Sequence, residues 1–154
     1  MEDRRGRNFA VHEDGRITLE EYWDRVIFCQ KRSFTRSQFR LFMFAQSKPY
    51  TRKIEMVCNL KARHGLRIAV GSNESREVNA YRIHKLNPRA FVDSFISSCF
   101  VHAGKPDMEM LRLAADIAQA SPREVLYIEN TPMFVRTAEG FGIRSIRHTD
   151  YKST

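Results

Sequence analysis

Four short apolar runs in the second half of the chain constrain the fold most, because each is followed by turn residues and then by a segment of helical periodicity. The runs are Leu66–Gly71, Phe95–Phe100, Val125–Glu129 and Ile143–Arg147. Helices are predicted between them, at Glu74–Leu86, Asp107–Gln119 and Pro132–Gly140. Strands that alternate with helices in this way form parallel sheets with helices on both faces. The pattern therefore predicts an α/β fold whose ligands bind at the carboxyl ends of the strands.

The first half of the chain predicts helices instead of strands. Thr18 and Glu21 have the spacing of a capping box, which predicts a helix over Leu19–Lys31. A helix is also predicted over Thr51–His64, where Gly65 provides the C-terminal cap.

Between these two helices lies a third, which begins near Thr35 and ends at Pro49. Its apolar residues surround most of the helix, so we expect it to be covered on more than one side. If it were not covered, the basic, Phe-rich segment Phe34–Phe44 would be an exposed aromatic patch of the kind that tends to form interfaces.

Basic residues are concentrated in one part of the chain. The 154 residues include 26 Lys and Arg against 18 Asp and Glu, a formal charge of +8. Ten of the basic residues lie between Lys31 and Arg67, where Glu55 is the one acid. This stretch should attract anions. Because no recognised nucleic-acid motif accompanies it, we interpret it as a solvated helical surface and do not expect nucleic acid as a partner.

Cysteine and hydropathy patterns indicate where the protein resides. Cys29, Cys58 and Cys99 are far apart and lie in apolar segments, which indicates reduced core thiols and a cytoplasmic location. The histidines have no pair at a spacing that would bind zinc from one helix face. No long apolar run occurs, so we expect neither a membrane-spanning segment nor a secretory signal.

Polar residues directly follow three of the predicted strands. Ser72 and Asn73 begin a predicted helix whose free N–H groups favour an anion, although either could simply cap that helix. Lys105 lies in a turn directly before a helix, where a lysine is usually a surface residue. Glu129 and Asn130 lie at a strand tip before a further helix, and a capping role is again the alternative.

Together and in this order, these residues resemble the motifs of the haloacid dehalogenase-like (HAD) hydrolase superfamily over nearly the whole chain. IAVGSN matches the second motif, which implies that Ser72, with Asn73 beside it, binds phosphate. GKPD matches the third motif, which implies that Lys105 binds phosphate and neutralises charge in catalysis. YIENTPMFVRTAEGFGI matches the fourth motif, which implies that Glu129 and Asn130 bind Mg²⁺.

The resemblance also implies how the chain is organised. GRITLEEYW and the two helices after it look like the helical cap of this superfamily, so residues 1–49 are predicted as a helical cap segment. Residues 50–154 are predicted as the HAD-like, Rossmann-type α/β core. That core would be incomplete, because the first strand of the superfamily's sheet has no counterpart in the sequence.

Two departures from the superfamily pattern affect the predicted chemistry. The first motif, D-x-D-x-[TV], carries the aspartate nucleophile, and no D-x-D occurs in the chain. The chain begins as if one strand and its loop had been left off, so we expect an inactive or impaired enzyme. In the fourth motif Glu129 and Asn130 stand where two acids are common, so we expect Mg²⁺ to bind weakly.

A missing central strand would leave backbone N–H and C=O groups unpaired on both sides of a gap. We therefore expect the two flanking strands to close up, or Arg7–Val11 or another chain to supply a replacement. Failing these, the fold would be only marginally stable.

Two functions follow from the sequence. The first is a HAD-like hydrolase of the phosphatase type, impaired as written, whose substrate is a small phosphorylated or anionic molecule. The alternative is a non-catalytic binding or dimerisation module that uses Phe34–Phe44, for which the partner would be a second copy of the chain, a homodimer.

Overall fold

A computed structural model of the protein describes residues 11–150. The chain divides into two compact units, Met1–His102 and Ala103–Thr154. The predicted division into a cap segment, residues 1–49, and a core, residues 50–154, follows from the family resemblance and stays a prediction.

In its described part the first unit contains five complete helices, two strands, a 3₁₀ turn at Pro88–Ala90 and, at residues 11–13, the end of a further helix. In chain order the complete helices and the strands are α1 (Leu19–Val26), α2 (Arg36–Ala45), α3 (Thr51–His64), β1 (Ala69–Ser72), α4 (Arg76–Leu86), β2 (Ser94–Ser97) and α5 (Ser98–Val101). The second unit has a 3₁₀ turn at Pro122–Glu124 and four further elements in its described part. These are α6 (Met108–Ala118), β3 (Leu126–Glu129), α7 (Pro132–Gly140) and β4 (Arg144–Arg147).

Helix α1 begins with the predicted capping box. The Glu21 N–H donates to Thr18 Oγ1 at 3.2 Å, and the Thr18 N–H donates to the Glu21 carboxylate at 2.7 Å. The helix ends at Val26 and not at Lys31 as predicted, because the N–H groups of Ile27 and Phe28 both donate to the Trp23 carbonyl and the chain turns there.

Helix α2 also begins with a capping box, formed by Thr35 and Gln38, and it ends at Ala45, before the predicted end at Pro49. The expectation that it is covered on more than one side is wrong for the described part of the chain. Phe44 is buried, but Leu41 and Phe42 are 73% and 64% exposed.

The bounds of α3 and α7 agree with the sequence prediction. Helix α3 ends at His64 because Gly65, with φ of +62°, adopts the left-handed conformation that glycine favours. Pro132 is the first residue of α7, as predicted. Helix α6 begins at Met108, one residue later than predicted, because Asp107 is its N-cap and accepts from the Glu109 N–H.

Strands β1 and β2 are parallel, with Ser72 opposite Ser97 at their carboxyl ends. Strand β1 starts at Ala69, three residues later than predicted. The Asp93 carboxylate accepts from the Ile68 N–H at 2.7 Å, and the Ile68 carbonyl accepts from the Asp93 N–H at 2.8 Å, so the start of the run is held by a loop.

The run Phe95–Phe100 is a strand only as far as Ser97. Its second half is helix α5, in which Ser98 and Cys99 are fully buried. The prediction of a strand through Phe100 is therefore wrong.

Strands β3 and β4 are also parallel, with Glu129 opposite Arg147. The described strands form two separate two-stranded sheets, β1–β2 and β3–β4, so the expectation that the flanking strands pair directly is wrong. Of the proposed replacement Arg7–Val11, only Val11 lies within the described residues, and it is helical. The alternation of helices with parallel strands confirms the predicted α/β class.

Each unit has its own buried apolar cluster. In the first unit Leu19, Trp23 and Phe44 pack together, and in the second Leu111, Ala138 and Ile143 do so. The three cysteines are free thiols. The prediction that they lie in the core is correct for Cys99 alone, since Cys29 is exposed in the turn after α1 and Cys58 is half-buried. Within residues 11–150, no helix combines the length and the apolar character that crossing a bilayer requires.

Candidate functional site

Lys105 and Glu129 form a buried ion pair in the second unit. Lys105 Nζ donates to Glu129 Oε2 at 2.7 Å, and the two side chains are 14% and 8% exposed. The Lys105 ammonium also lies 5.1 Å from the centre of the Phe134 ring, a cation–π contact. Lys105 precedes α6 and Glu129 ends β3, so the pair joins the beginning of a helix to the carboxyl end of a strand.

The Glu129 carboxylate accepts four hydrogen bonds. Oε2 accepts from Lys105 and from the Tyr127 hydroxyl, the latter at 2.9 Å. Oε1 accepts from the N–H groups of Asn130 and Thr131, at 2.9 and 3.0 Å. Burial acts to raise the pKa of Glu129, but the hydrogen bonds from Lys105 and Thr131 outweigh it and hold the pKa at about 2. Glu129 is therefore ionised throughout the neutral range.

Glu129 also explains how α7 begins. Thr131 is the N-cap residue, but its side chain makes no capping hydrogen bond. The Glu129 carboxylate instead accepts from the two backbone N–H groups just ahead of the helix, where negative charge is favourable. Asn130 contributes its backbone to this arrangement, and the residue is exposed.

The hydrogen bonds of the Glu129 carboxylate show whether Glu129 and Asn130 fit the predicted role of magnesium ligands. Mg²⁺ requires near-octahedral oxygen coordination, usually with one or two carboxylates. Glu129 is a single carboxylate whose two oxygens each accept two hydrogen bonds, so a metal ion would have to displace Lys105 or backbone N–H groups. Among residues 11–150, no group of three His, Cys, Asp or Glu side chains could hold a metal ion. As folded, this donor set does not fit a tightly bound Mg²⁺.

Ser72 and Asn73 lie in the first unit, at the end of β1, and both are half-buried. Neither caps α4, because that role belongs to Ser75, whose hydroxyl accepts from the Val78 N–H at 3.4 Å. The alternative that Ser72 or Asn73 is the helix cap is therefore wrong.

The Ser72 hydroxyl contacts a buried polar cluster. Its Oγ lies 3.4 Å from Ser97 Oγ, and the Asn79 side chain donates a hydrogen bond to the same Ser97 oxygen. Nearby, the Ser98 hydroxyl accepts from the Glu74 N–H at 3.1 Å and donates to the Glu13 carbonyl at 2.6 Å. These contacts hold the loop after β1.

The structure thus brings together some of the predicted site residues. Lys105, Glu129 and the Asn130 backbone meet in the second unit, and Ser72 and Asn73 are neighbours in the first. The sequence interpretation missed Tyr127, Ser97 and Asn79. Tyr127 could have been found from its spacing, since residues two apart on a strand share a face. Ser97 was missed because the strand was predicted to end three residues later.

Comparison with known proteins identifies the family. A family model for haloacid dehalogenase-like hydrolases matches residues 8–142, which is most of the chain. The chain therefore belongs to the haloacid dehalogenase-like hydrolases, as the sequence motifs predicted. No curated protein matches it by sequence.

Solved structures share this fold at low sequence identity. An aspartate-to-alanine variant of a HAD family enzyme from Bacteroides thetaiotaomicron, in complex with magnesium and inorganic phosphate, has a TM-score of 0.74 and 16% identity, over 98% of this chain and 89% of that one. A HAD-like family hydrolase from Porphyromonas gingivalis has a TM-score of 0.73 and 20% identity, over 94% and 73%. L-2-haloacid dehalogenase from Xanthobacter autotrophicus, with chloropropionic acid covalently bound, has a TM-score of 0.69 and 16% identity, over 99% and 65%. At these identities the likeness establishes the fold alone.

Proposed function

We propose that this chain binds small phosphorylated molecules as a phosphatase-type HAD-like hydrolase, and that the 154-residue polypeptide turns them over poorly. The observation that carries the proposal is the buried Lys105–Glu129 ion pair, in a family whose solved structures include one with bound phosphate. A fixed ammonium favours an anion because its position costs no reorganisation when the anion arrives.

Each predicted phosphate ligand has a distinct role in this proposal. The Ser72 hydroxyl donates a hydrogen bond to a phosphoryl oxygen, and Asn73 offers an amide beside it. Lys105 supplies positive charge, which Glu129 and Phe134 hold in one place. We place this function in the cytoplasm, where free thiols such as Cys29 stay reduced.

Poor turnover follows from the acids that the sequence contains. In this family the carboxylate that attacks the substrate belongs to a D-x-D motif. The 154 residues contain no D-x-D motif. Weak Mg²⁺ binding is the second part of the argument. It follows from the four hydrogen bonds that already engage Glu129.

The test combines binding and turnover. We expect isothermal titration calorimetry to detect inorganic phosphate binding, and we expect hydrolysis of para-nitrophenyl phosphate with magnesium to stay at the background rate. The double variant Lys105→Met/Glu129→Gln removes both charges of the pair, so no unpaired buried charge is left, and it should weaken phosphate binding at least tenfold.

Lys85→Met is the matched control, because Lys85 is a lysine of α4 whose ammonium contacts Tyr81. It should leave phosphate binding unchanged. A wild-type protein that binds no phosphate would refute the proposed function. A turnover rate that Lys105→Ala abolishes would refute the proposed impairment.

A second candidate function rests on the exposed side of α2. Leu41 and Phe42 are large apolar side chains that are exposed to solvent in the described part of the chain. An exposed apolar patch of this kind is typical of an interface. If the protein is a binding or dimerisation module, light scattering should detect a concentration-dependent dimer. Phe42→Asp should dissociate it, whereas Met56→Asp on α3 should not. A monomer at every concentration would exclude the homodimer.

A further inference from the structure

A chain of three polar side chains ends at the Ser72 hydroxyl. Ser72 and Ser97 are the last residues of β1 and β2 and lie opposite each other in the parallel ladder. Asn79 lies on α4, one turn after its start, and its amide reaches Ser97. Ser97 and Asn79 are 2% and 3% exposed. Buried polar groups of this kind are retained only when they are hydrogen-bonded, so the oxygen and nitrogen atoms of these two side chains are held in place.

The donors and acceptors of this chain fix the direction of its first hydrogen bond and leave that of the second open. Asn79 Nδ2 can only donate, and it donates to Ser97 Oγ. Ser97 Oγ also lies 3.4 Å from Ser72 Oγ, which donates to it. A hydroxyl has one proton and two acceptor positions. When an anion binds, both hydroxyls can rotate, so that Ser97 donates to Ser72 and Ser72 donates outward.

We propose that Ser97 and Asn79 are positioning residues that direct the Ser72 hydroxyl toward a bound phosphoryl oxygen. Asn79 donates to Ser97 in both arrangements, so the rotation preserves this buried hydrogen bond. Each donor in such a chain also polarises the next, which strengthens the hydrogen bond from Ser72 to the anion. This inference rests on the proposed phosphate-binding role of Ser72.

A purely structural role is the alternative, since the Asn79–Ser97 hydrogen bond also ties α4 to β2. A double-mutant cycle separates the two roles. Ser97→Ala should weaken inorganic phosphate binding by roughly 3- to 10-fold, the range expected for one hydrogen bond. In the Ser72→Ala background, Ser97→Ala should have no further effect on phosphate affinity, because the hydroxyl that it positions is already absent.

Two further variants complete the experiment. Asn79→Leu has a similar shape but no donor, and it should weaken phosphate binding in the same Ser72-dependent way. Ser47→Ala is the matched control, because Ser47 is a buried serine of the first unit whose hydroxyl accepts from Arg82. It should leave phosphate affinity unchanged while lowering stability. Urea unfolding of every variant confirms that the protein measured is folded.

The outcomes distinguish this inference from the proposed function. If the wild-type protein binds phosphate and Ser72→Ala weakens it, but Ser97→Ala does not, the positioning role is refuted and the proposed function stands. If Ser97→Ala weakens binding equally with and without the Ser72 hydroxyl, the role is structural and the inference is refuted. If the wild-type protein binds no phosphate, both are refuted.

Discussion

Gly15 occupies a position where the space and the backbone both favour glycine. Its φ is +70°, and a Cβ built on it would lie 2.5 Å from the Cys99 carbonyl oxygen. The close approach lets the segment before α1 lie against α5, where the Ser98 hydroxyl donates to the Glu13 carbonyl.

Gly15→Ala and Gly65→Ala should therefore differ in cost. Both glycines have positive φ, which costs an alanine about 1–2 kcal/mol. Nothing lies within 4 Å of a Cβ at Gly65. Only Gly15→Ala adds a clash with backbone, which we expect to cost a further 1–3 kcal/mol, roughly the penalty for overpacking. Urea unfolding at one pH measures both, and equal costs would contradict the contact with Cys99.

Glu129 predicts a pH dependence of stability. Its pKa is lowered in the folded protein, so it stabilises the fold above its unfolded value of about 4.5, and this stabilisation is lost as the pH falls toward 2. Glu129→Gln should lower the free energy of unfolding at pH 7, where it leaves the Lys105 ammonium without its carboxylate. The difference from the wild-type protein should shrink between pH 5 and pH 2.

Glu109→Gln is the control for this prediction. Glu109 forms an exposed ion pair with Arg112, and such surface pairs contribute little. Its effect on urea unfolding should be small at every pH. A Glu129→Gln effect that stays constant from pH 7 to pH 2 would contradict the depressed pKa.

At the scale of single elements, the capping box of α1 makes a measurable contribution. Thr18→Ala removes the acceptor for the Glu21 N–H, so it should lower the free energy of unfolding by about 1 kcal/mol. Thr18→Ser keeps a hydroxyl at this position and should retain most of the stabilisation from the cap. Thr51→Ala is the control, since Thr51 is the exposed first residue of α3 and that helix begins without a side-chain cap. A loss as large for Thr51→Ala would show that the effect is not capping.

Element bounds were predictable wherever a local signal marks them. Gly65 ends α3 and Pro132 begins α7, and each acts through its own backbone conformation. The end of α1 was missed because a local turn sets it, in which the Ile27 and Phe28 N–H groups donate to the Trp23 carbonyl, and no glycine or proline marks that turn. The start of β1 was not predictable, because a contact with a distant part of the chain sets it. Ile68 is held by Asp93, which is 25 residues away.

The candidate site, too, was predictable only where a local sequence motif marks its residues. The motifs predicted Ser72, Asn73, Lys105, Glu129 and Asn130 as site residues. They did not predict the ion pair between Lys105 and Glu129, which the structure shows. The Asn79–Ser97 hydrogen bond joins a helix to a strand that the sequence extended too far, so no local pattern indicated it. Tyr127 was missed because an aromatic residue in a strand is ordinarily a core residue.

At the scale of the whole molecule, the described chain has two apolar clusters that share no residue, one in each unit. The family and the α/β class were predictable, because they depend on the order of strands and helices. The division of the described strands into two separate sheets was not, because strand pairing is a long-range property.

The two clusters predict that one core substitution affects the two units unequally. Ile143→Ala should cost about 2–5 kcal/mol in the second unit, where Ile143 is 4% exposed. Trp23, the one tryptophan, reports on the first unit. We expect a larger shift in urea unfolding followed by circular dichroism than by tryptophan fluorescence. Ile117→Ala, at an exposed position, should shift neither, and equal shifts for Ile143→Ala would show one cooperative unit.

The three thiols differ in their exposure to solvent, so their labelling rates report on opening of the fold. Cys29 is exposed and should react with a maleimide in the native protein. Cys99 is fully buried, and burial raises the pKa of its thiol, so it is both shielded and protonated. Cys58 is half-buried and should react second. The rate at which the third thiol becomes labelled therefore measures how often the polypeptide opens around Cys99 in the absence of denaturant.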